Sequence, residues 1–427
     1  MGAFNTFRLL RQARKNQWLK PKELEELQAK RLRAIIKHAY ENTEFYHRKF
    51  SDVGIKPEDI CTVNDLHKIP FTTKDELRKY GLGPILARGV DLSKCTIEQS
   101  SGSTGVPIQV AYDSSASDFS KAINLRSHVE NGLRFRSKWA IFSDPRHVHE
   151  KKLFQKLGIF SPDYISATDA IEKSLPYFKK INPDVIDGYS SCIKMLAEAV
   201  EKYDIREIEP KVIFGTSELL TPDTRQYINT VFDLEMLDQF GCLELNRTAW
   251  ECNEHSGYHI DVDAIVMEIV KGDETVSSGE LGEVTYTGLY NYAMPLIRYK
   301  VGDLAIKSDE LCPCGRGLPL LEKVEGRTGD LMYGPNGRVF SPMIWYNLMR
   351  RIPGIEQYKI IQEKRDLIRV LLVKDTKFSE ETLVKTEHDI KEDMGENVNV
   401  QIELVDEISR DASGKLRFII SKVNEND

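Results

Sequence analysis

A run of small and hydroxyl-bearing residues is the part of this sequence best suited to bind phosphate. It reads Ser100-Ser101-Gly102-Ser103-Thr104-Gly105-Val106-Pro107. Glycines let the backbone wrap an anion, and the hydroxyl groups add hydrogen-bond donors. The run is not a Walker A motif, because no Gly-Lys-Ser/Thr follows at the required spacing. A flexible connection without a ligand is the alternative interpretation, so the phosphate loop at residues 100–105 is a hypothesis.

Three cysteines and one histidine have a spacing that could hold a metal ion. Cys252 and His259 are separated by six residues, and Cys312 and Cys314 follow about fifty residues later. Three thiolates and an imidazole would complete a tetrahedral Zn²⁺ site without a position for water, which is typical of structural zinc. The alternative is unrelated thiols with Cys312 and Cys314 in an ordinary turn. His255 is a reserve ligand.

The elements that must position these residues change in character along the chain. Residues 1–90 are predicted to be mostly helical, with Thr73 and Glu76 as a capping box. Between residues 139 and 241, short apolar strands alternate with helices, which predicts a doubly wound α/β unit with a parallel sheet. Ligands bind such sheets beyond the carboxyl ends of the strands. Residues 252–325 predict a β-rich subdomain with antiparallel hairpins and a zinc site.

The predicted pattern of helices and strands changes again near the end of the chain. Helices predicted at 342–351 and 380–393 alternate with short strands, and residues 331–427 can fold as a separate small α+β domain. The predicted fold class is therefore α/β. It comprises a large domain over residues 1–326, with helix-covered parallel sheets and a β-rich subdomain, and a small C-terminal domain.

Composition and charge narrow the class of protein. The chain has 427 residues, of which 41% are hydrophobic and 29% charged, with a formal net charge of −7. These values are ordinary for a globular protein and argue against nucleic-acid binding as its main role. Because we find no membrane-length apolar run and no apolar signal core, and because the cysteine pattern suits reduced thiols, we expect a cytoplasmic protein.

The first residues allow a membrane-surface interpretation as well. The start Met1-Gly2 fits a short myristoylation pattern, and basic residues alternate with apolar ones on a helical period. The simpler interpretation, which we favour, is an amphipathic helix that docks its apolar stripe on the protein.

Five further motifs follow the serine-rich run in order along the chain. They are Gly215-Thr216-Ser217-Glu218-Leu219, Asp238-Gln239-Phe240-Gly241-Cys242-Leu243-Glu244, Pro295-Leu296-Ile297-Arg298-Tyr299-Lys300-Val301-Gly302-Asp303, Gly326-Arg327-Thr328-Gly329-Asp330 and Arg410-Asp411-Ala412-Ser413-Gly414-Lys415-Leu416-Arg417. Together these resemble the core motifs of the adenylate-forming superfamily, and most closely the phenylacetate–CoA ligase family with its coenzyme F390 synthetase and CapK-like relatives. The resemblance covers residues 70 to 423. It implies the adenylate-forming enzyme fold, in which the small domain, residues 331–427, is mobile and rotates about a hinge at 327–330.

The resemblance also implies roles for individual residues. Glu244 would bind Mg²⁺, Asp303 would accept hydrogen bonds from both ribose hydroxyls, and Arg327 would stand at the domain junction. Lys415 would neutralise charge between the attacking carboxylate and the α-phosphate of ATP. Phe240 would stack on adenine. The complete set expected around the nucleotide is Ser100, Ser101, Gly102, Ser103, Thr104, Gly105, Gly215, Ser217, Glu218, Asp238, Gln239, Phe240, Gly241, Asp303 and Arg327, with Asp238 or main-chain groups meeting the adenine amine.

The sequence departs from the family pattern in two places. Relatives often have Arg-x-Asp-Asp at the hinge, where this chain has Arg327-Thr328-Gly329-Asp330, and glycine there would loosen the backbone. The serine-rich run ends in Val106-Pro107-Ile108, where many members of the superfamily have Pro-Lys. That lysine is also often missing in the phenylacetate-ligase branch.

The resemblance predicts an AMP-forming acid–CoA ligase. A carboxylic acid, expected to be aromatic or small and apolar, would react with ATP and Mg²⁺ to give acyl-AMP and pyrophosphate, and coenzyme A would then displace AMP. One alternative is transfer of AMP to a hydroxyl of an 8-hydroxyflavin. Another is a non-catalytic nucleotide-binding protein of polysaccharide assembly, against which the retention of Glu244, Asp303, Arg327 and Lys415 argues. A homodimer is suggested only by analogy with relatives.

Overall fold

A computed structural model describes residues 2–99, 108–147, 151, 153–335, 337–411 and 413–423. The predicted phosphate-loop residues Ser100, Ser101, Gly102, Ser103, Thr104 and Gly105 lie outside the described residues.

Helices dominate the first hundred residues and then alternate with strands. The hydroxyl of Thr73 accepts a hydrogen bond from the Glu76 amide, which confirms the capping box, and Thr221 caps a helix that begins with Pro222. The helices of the described residues are α1 Gly2–Asn16, α2 Pro21–Asn42, α3 Glu44–Asp52, α4 Lys74–Tyr80, α5 Leu82–Ile85, α6 Ser114–Glu130, α7 Leu153–Lys156, α8 Ile171–Ile181, α9 Ser190–Lys202, α10 Pro222–Phe232, α11 Pro342–Met349 and α12 Glu380–Met394.

Strands occupy most of the chain between residues 139 and 327 and return in the small domain. They are β1 Thr96–Gln99, β2 Gln109–Tyr112, β3 Trp139–Ser143, β4 Pro162–Ser166, β5 Val185–Tyr189, β6 Val212–Thr216, β7 Leu237–Cys242, β8 Asn246–Glu251, β9 Tyr258–Ile260, β10 Ile265–Lys271, β11 Glu274–Thr275, β12 Leu281–Gly288, β13 Tyr299–Lys307, β14 Leu320–Arg327, β15 Met332–Tyr333, β16 Val339–Phe340, β17 Ile355–Lys364, β18 Leu367–Lys374, β19 Asn399–Leu404 and β20 Ile419–Ser421.

One sheet of 12 strands forms the centre of the large domain, in the order β11-β10-β12-β13-β14-β9-β8-β7-β6-β5-β3-β4. The strands β3, β5, β6 and β7 pair in parallel, as their alternation with helices predicted, and β4, which the sequence analysis did not predict, adds a further parallel strand beside β3. From β7 to β8 the pairing becomes antiparallel, and the ladder continues through β14. The β-rich segment is thus hydrogen-bonded to the parallel strands, because the β7–β8 hairpin joins the two halves.

Apolar side chains cover both parts of this sheet. Ile35 and Ile36 of α2 pack in one cluster with Ile265 and Tyr299 of the antiparallel strands, and all four are fully buried. A second cluster lies between α8, α9 and the parallel strands. Each large apolar side chain removed from water contributes about 1.5–3 kcal/mol, so the helices are held on the sheet mainly by burial.

The first helix packs on the body, as its amphipathic pattern predicted. Leu10 and Ala13 of α1 are buried, and Asn5 donates a hydrogen bond to Asp118 of α6 at 3.1 Å. Phe4 faces solvent with 81% of its surface exposed. Among the described residues, we find no helix with both the length and the apolar character needed to cross a membrane.

The small domain follows a 3₁₀ turn at Thr328–Asp330. Its sheet has the order β19-β18-β17-β20, in which β17 and β18 are antiparallel and both outer pairs are parallel. Trp345 of α11, Ile360 of β17 and Ile390 of α12 are fully buried in its own core. The sequence predicted no strand at β20, whose partner β17 lies more than fifty residues earlier in the chain.

Candidate active site

A cavity of about 530 Å³ opens where the carboxyl ends of the parallel strands meet the small domain. Its walls come from the last residue of β5, from the ends of β6 and β7 and the segments after them, from β13 and β14, and from Asp411, Ser413 and residues 415–419. This is the position at which open α/β sheets bind ligands. The predicted site residues that line the cavity are Ser217, Glu218, Asp238, Gln239, Phe240, Gly241, Glu244, Asp303, Arg327 and Lys415.

Gly215 is the one described member of the predicted nucleotide set that does not line the cavity. It lies within β6, and a Cβ atom there would be 2.9 Å from the Ser190 hydroxyl and 3.2 Å from a carboxylate oxygen of Asp238. Glycine at this position therefore lets β6 pack closely against α9 and β7.

Glu244 lies in the connection between β7 and β8, where the sheet changes from parallel to antiparallel pairing. Only 4% of its surface is exposed. The Tyr299 hydroxyl donates a hydrogen bond to Glu244 Oε1 at 2.7 Å, and the Tyr112 hydroxyl donates to its main-chain oxygen, also at 2.7 Å. Burial and the adjacent carboxylate hold the pKa of Tyr299 well above its ordinary value, so this phenol stays a donor. The Glu244 carboxylate thus has a defined position in the cavity wall.

Asp303 and Arg327 face each other across β13 and β14. Arg327 Nε lies 3.2 Å from Asp303 Oδ1. Burial raises the pKa of Asp303, while the Arg327 guanidinium and the Lys74 ammonium oppose that rise. The pair places an oriented carboxylate and a cation side by side at the last residues of the large domain.

Lys415 enters the same cavity from the small domain. Its Nζ atom lies 5.5 Å from the centre of the Tyr189 ring, a distance compatible with a cation–π contact. Burial, followed by the Arg327 guanidinium, lowers the pKa of Lys415. Arg327 is thus a neighbour of both Asp303 and Lys415, and these three side chains come from β13, β14 and the C-terminal segment.

The turn that carries Lys415 is held against the start of α9 by a set of hydrogen bonds that we call the Glu218 latch. Glu218 accepts hydrogen bonds from the Ser191 amide at 2.8 Å, the Ser191 hydroxyl at 2.9 Å and the Leu416 amide at 2.8 Å. Arg410 donates to the Ser191 hydroxyl at 2.6 Å and to the Gly414 oxygen at 2.7 Å. Both oxygens of Glu218, which was expected beside the nucleotide, are used by protein donors. No local pattern marked Ser191.

Asp238 lines the cavity and belongs to a buried polar network. Its Oδ2 accepts a hydrogen bond from the Tyr258 hydroxyl at 2.7 Å, and its Oδ1 accepts one from the Gln239 amide at 3.0 Å. Burial, and then the nearby Glu251 carboxylate, raise the pKa of Asp238 to about 7. Both carboxylate oxygens of Asp238 already accept hydrogen bonds from protein groups. Main-chain groups of β7 are therefore better placed than the Asp238 side chain to bind an adenine base.

Several charged residues of the cavity wall were missed by the sequence analysis, namely Lys74, Arg78, Glu98, Asp144 and Arg247. Arg247, the second residue of β8, lines the cavity and donates from an Nη atom to Gln239 Oε1 at 2.6 Å. It follows Glu244 by three residues, but no motif marked it.

The predicted metal ligands form a compact cluster at one end of β8 and β9. Cys252 Sγ lies 3.6 Å from Cys312 Sγ, and His259 Nε2 lies 3.3 Å from Cys252 Sγ and 3.4 Å from Cys314 Sγ. All four ligand atoms lie within 4.8 Å of one another. His255, the reserve ligand, lies outside this cluster, with Nδ1 at 3.8 Å from Glu251.

These distances agree with the edges of a zinc tetrahedron. Bond lengths of about 2.3 Å to sulfur and about 2.0 Å to nitrogen place neighbouring ligand atoms about 3.5–3.8 Å apart. Three thiols and an imidazole form a common donor set of structural zinc sites. The residues therefore fit the metal in chemistry and in spacing.

Comparison with known proteins relates the chain to acid–CoA ligases. The family model of the CapK C-terminal domain matches residues 332–422. A phenylacetate-coenzyme A ligase of Pseudomonas putida is 28% identical over 355 residues, which are 79% of this chain and 78% of that protein. Protein CapK of Staphylococcus aureus is 26% identical over 417 residues, which are 94% and 90% of the two chains.

Solved structures of a CoA ligase have the same fold as this chain. The 2-hydroxyisobutyryl-CoA ligase in its postadenylation state has a TM-score of 0.78 at 19% identity, covering 96% of this chain and 91% of that one. The same ligase in its thioesterification state has a TM-score of 0.66 at 20% identity, covering 95% and 91%. The chain is therefore similar in sequence to phenylacetate–CoA ligases and to CapK, and it has the fold of the adenylate-forming CoA ligases.

Proposed function

We propose that this protein activates a carboxylic acid with ATP and then transfers the acyl group to coenzyme A. The observation that carries the proposal is the convergence of Glu244, Asp303, Arg327 and Lys415 on one cavity between the two domains. Residues that are up to 171 positions apart meet there only in the folded chain. The phenylacetate–CoA ligase relatives support the same chemistry.

The cavity wall offers a partner for each part of the nucleotide. The two oxygens of Asp303 suit the vicinal hydroxyls of a ribose, and Arg327 holds that carboxylate in place. Phe240 would stack on adenine, and main-chain groups of β7 would meet its amine. Residues 100–105 would hold the β- and γ-phosphates through amide and hydroxyl donors.

Acyl-AMP formation exchanges one bond at phosphorus. A carboxylate oxygen of the acid bonds to the α-phosphorus, the bond to the bridging oxygen breaks, and pyrophosphate leaves with the electron pair. Two anions must approach each other, so a cation between them lowers the barrier. Lys415 would supply that charge. In the second step the coenzyme A sulfur bonds to the acyl carbon, AMP leaves with the electron pair, and the thiol proton passes to solvent.

Glu244 would hold Mg²⁺ together with phosphate oxygens of the nucleotide. The residue fits this ion, because it is a carboxylate fixed by Tyr299 in the cavity wall and hard oxygen ligands are those that Mg²⁺ prefers. Bound there, the ion would offset negative charge on the phosphate oxygens.

We also propose structural zinc at Cys252, His259, Cys312 and Cys314. The ion would tie the start of β9 to the loop before β14, which supplies two of the ligands. A closed set of four ligands supplies stability and no open position for chemistry. Free thiols in this number suit a reducing compartment, which supports the cytoplasm as the place of action.

The proposal is tested by acid-dependent exchange of radioactive pyrophosphate into ATP, measured over a panel of carboxylic acids. We expect exchange that requires both an acid and Mg²⁺, and thioester formation when coenzyme A is added. A parallel reaction with an 8-hydroxyflavin tests AMP transfer to a hydroxyl. Exchange that needs the flavin and no acid would contradict the ligase, and ATP binding without exchange for any acid would favour a non-catalytic protein.

A further inference from the structure

Arg247 occupies an unusual position in the cavity wall. Its guanidinium donates to the main-chain oxygen of Asn124, to the Ser127 hydroxyl at 2.5 Å and to Gln239 Oε1 at 2.6 Å. An Nη atom of Arg247 also lies 3.3 Å from His128 Nδ1, and none of these partners is a carboxylate. Its buried Nε atom has no acceptor among the described residues.

Five other arginines of the described part of the chain that are removed wholly or partly from water have a carboxylate partner, whereas Arg31 and Arg410, like Arg247, are held by neutral groups. Within 4.0 Å of a carboxylate oxygen lie the guanidinium groups of Arg126 with Asp261 and Asp263, Arg225 with Glu251, Arg298 with Glu268, Arg316 with Glu130, and Arg327 with Asp303. For Arg247 we find no carboxylate at this distance in the described part of the chain. A cation removed from water without a counter-ion is costly, and an anionic ligand offsets that cost.

Nearby acidic groups do not fill this role. Asp187 is bound to His128, with 2.7 Å between Oδ2 and Nε2, and Asp261 accepts from Arg126 and from the Trp250 indole. Burial lowers the pKa of Arg247 to about 10, so its guanidinium is still charged at pH 7. The charge of Arg247 is thus available to a ligand in the cavity.

A second donor lies beside Arg247. Gln239 of β7 is 5% exposed, lines the cavity, and uses its Oε1 atom to accept from Arg247. Its buried Nε2 amide has no acceptor among the described residues. A guanidinium and an amide that share one wall form a donor set for a carboxylate, which can accept two hydrogen bonds at once.

We propose that the acid activated by this protein carries a second carboxylate, which binds Arg247 and Gln239 while the first carboxylate reacts with ATP. The proposal rests on the ligase function above and specifies its substrate class. Such a dicarboxylic acid is more polar than the aromatic or small apolar acid that the family resemblance predicts. The resemblance did not take Arg247 into account and assigned Gln239 to the nucleotide.

The test compares acids that differ only in the second group. The first pair is glutarate and pentanoate, and the second is 2-carboxyphenylacetate and 2-methylphenylacetate. For each of the four acids, kcat/KM is measured for pyrophosphate exchange. We expect the dicarboxylate of a pair to be preferred by at least about 100-fold, because a site of buried donors rejects an analogue without acceptors. An equal or greater rate with the methyl acids would overturn the proposal.

Variants identify the residues responsible. Arg247→Met should abolish the preference within each pair, and Arg247→Lys should keep part of it because the charge remains. Gln239→Glu should repel the second carboxylate and lower its kcat/KM by about 10-fold or more, and Gln239→Leu should lower it without repulsion. Thermal unfolding accompanies each variant. If Arg247→Met does not fold, the two Gln239 variants decide the question.

Failure of the dicarboxylate proposal can be distinguished from failure of the proposed ligase function. Wild-type exchange that is at least as fast with the methyl acids as with the dicarboxylates, and unchanged in Arg247→Met, would remove the second carboxylate and keep the ligase. Folded wild-type protein that binds ATP and exchanges pyrophosphate with none of the acids would contradict both.

Discussion

Lys415 has few contacts that stabilise the folded chain and a central place in the proposed chemistry. Its ammonium group lies over Tyr189 and within the cavity, while its amide nitrogen holds the local turn through Asp411 at 3.1 Å. Lys415→Ala keeps that amide and removes the charge. We expect acid-dependent exchange to fall by about 100- to 1,000-fold, the range for loss of one group that stabilises transition-state charge. ATP affinity and Tm should stay close to wild type. Unchanged exchange would remove the assigned role.

The pH dependence of pyrophosphate exchange provides an independent test of the role of Lys415. Burial and Arg327 lower the pKa of Lys415 below the ordinary 10.5. Because the proposed role of Lys415 requires its protonated form, kcat/KM should fall as the pH rises through this lowered pKa. In Lys415→Arg the guanidinium stays charged, so the alkaline decline should move to higher pH even if the maximal rate drops. An alkaline decline at the same pH in both proteins would assign it to another group.

At the scale of elements, the Glu218 latch joins the C-terminal turn to the start of α9. Glu218→Gln removes the charge that receives three donors. Hydrogen bonds to a charged group contribute about 1.5–3 kcal/mol. We therefore expect about 10- to 100-fold slower acyl-AMP formation. Thioester formation from supplied acyl-AMP should change little if, as we propose, the turn leaves the cavity for that step. Ser191→Ala is a milder control with the same pattern, and equal losses in both half-reactions would contradict the latch.

The cluster of Cys252, His259, Cys312 and Cys314 is expected to stabilise the elements around β9 by binding zinc. We expect elemental analysis to find one equivalent of zinc in the purified protein. Cys312→Ser with Cys314→Ser should lose the metal and lower Tm by about 1.5–3 °C, the shift that a loss of 1–2 kcal/mol gives in a domain of more than 300 residues. Cys61→Ser, which removes an exposed thiol outside the cluster, should keep both metal and Tm. A metal-free wild type of equal stability would contradict the site.

The whole molecule is closer in overall arrangement to one solved state of 2-hydroxyisobutyryl-CoA ligase than to another. It agrees better with the postadenylation state of 2-hydroxyisobutyryl-CoA ligase than with the thioesterification state, with TM-scores of 0.78 and 0.66. Tyr346 of the small domain accepts a hydrogen bond from the Asp223 amide at 3.0 Å, and Arg417 pairs with Asp330 at the connection. We propose that these contacts break when the small domain turns for the second step.

Gly329 provides a test of that rotation. A Cβ atom at this position would have no heavy atom within 4 Å, so alanine fits the present arrangement. Gly329→Ala restricts the backbone of the connection, and we expect thioester formation to slow several-fold at unchanged acyl-AMP formation. Stability should stay equal or rise by about 0.4–1 kcal/mol. Both half-reactions can be followed separately with supplied acyl-AMP, and an unchanged second step would exclude Gly329 as the pivot.

Much of the fold was predictable because its signals are local. The caps at Thr73 and Thr221 rest on hydrogen bonds between residues three positions apart, and the alternation of strands and helices indicated the parallel strands. The continuous sheet through β7 and β8 and the short strand β20 were not predictable. Their pairing partners are selected by packing rather than by neighbouring residues.

By itself the sequence determined which chemical groups this protein has and in what order: a hydroxyl-rich run, acids at 244 and 303, a terminal lysine, and three thiols with an imidazole. Only the tertiary structure decided how those groups are used. It engages Glu218 in docking a turn that begins 192 positions later in the chain, and Asp238 in a buried network. It also gives Arg247 no carboxylate partner among the described residues. Whether a charge is paired depends on which side chains the fold brings within about 4 Å, and distance along the chain does not contain that information.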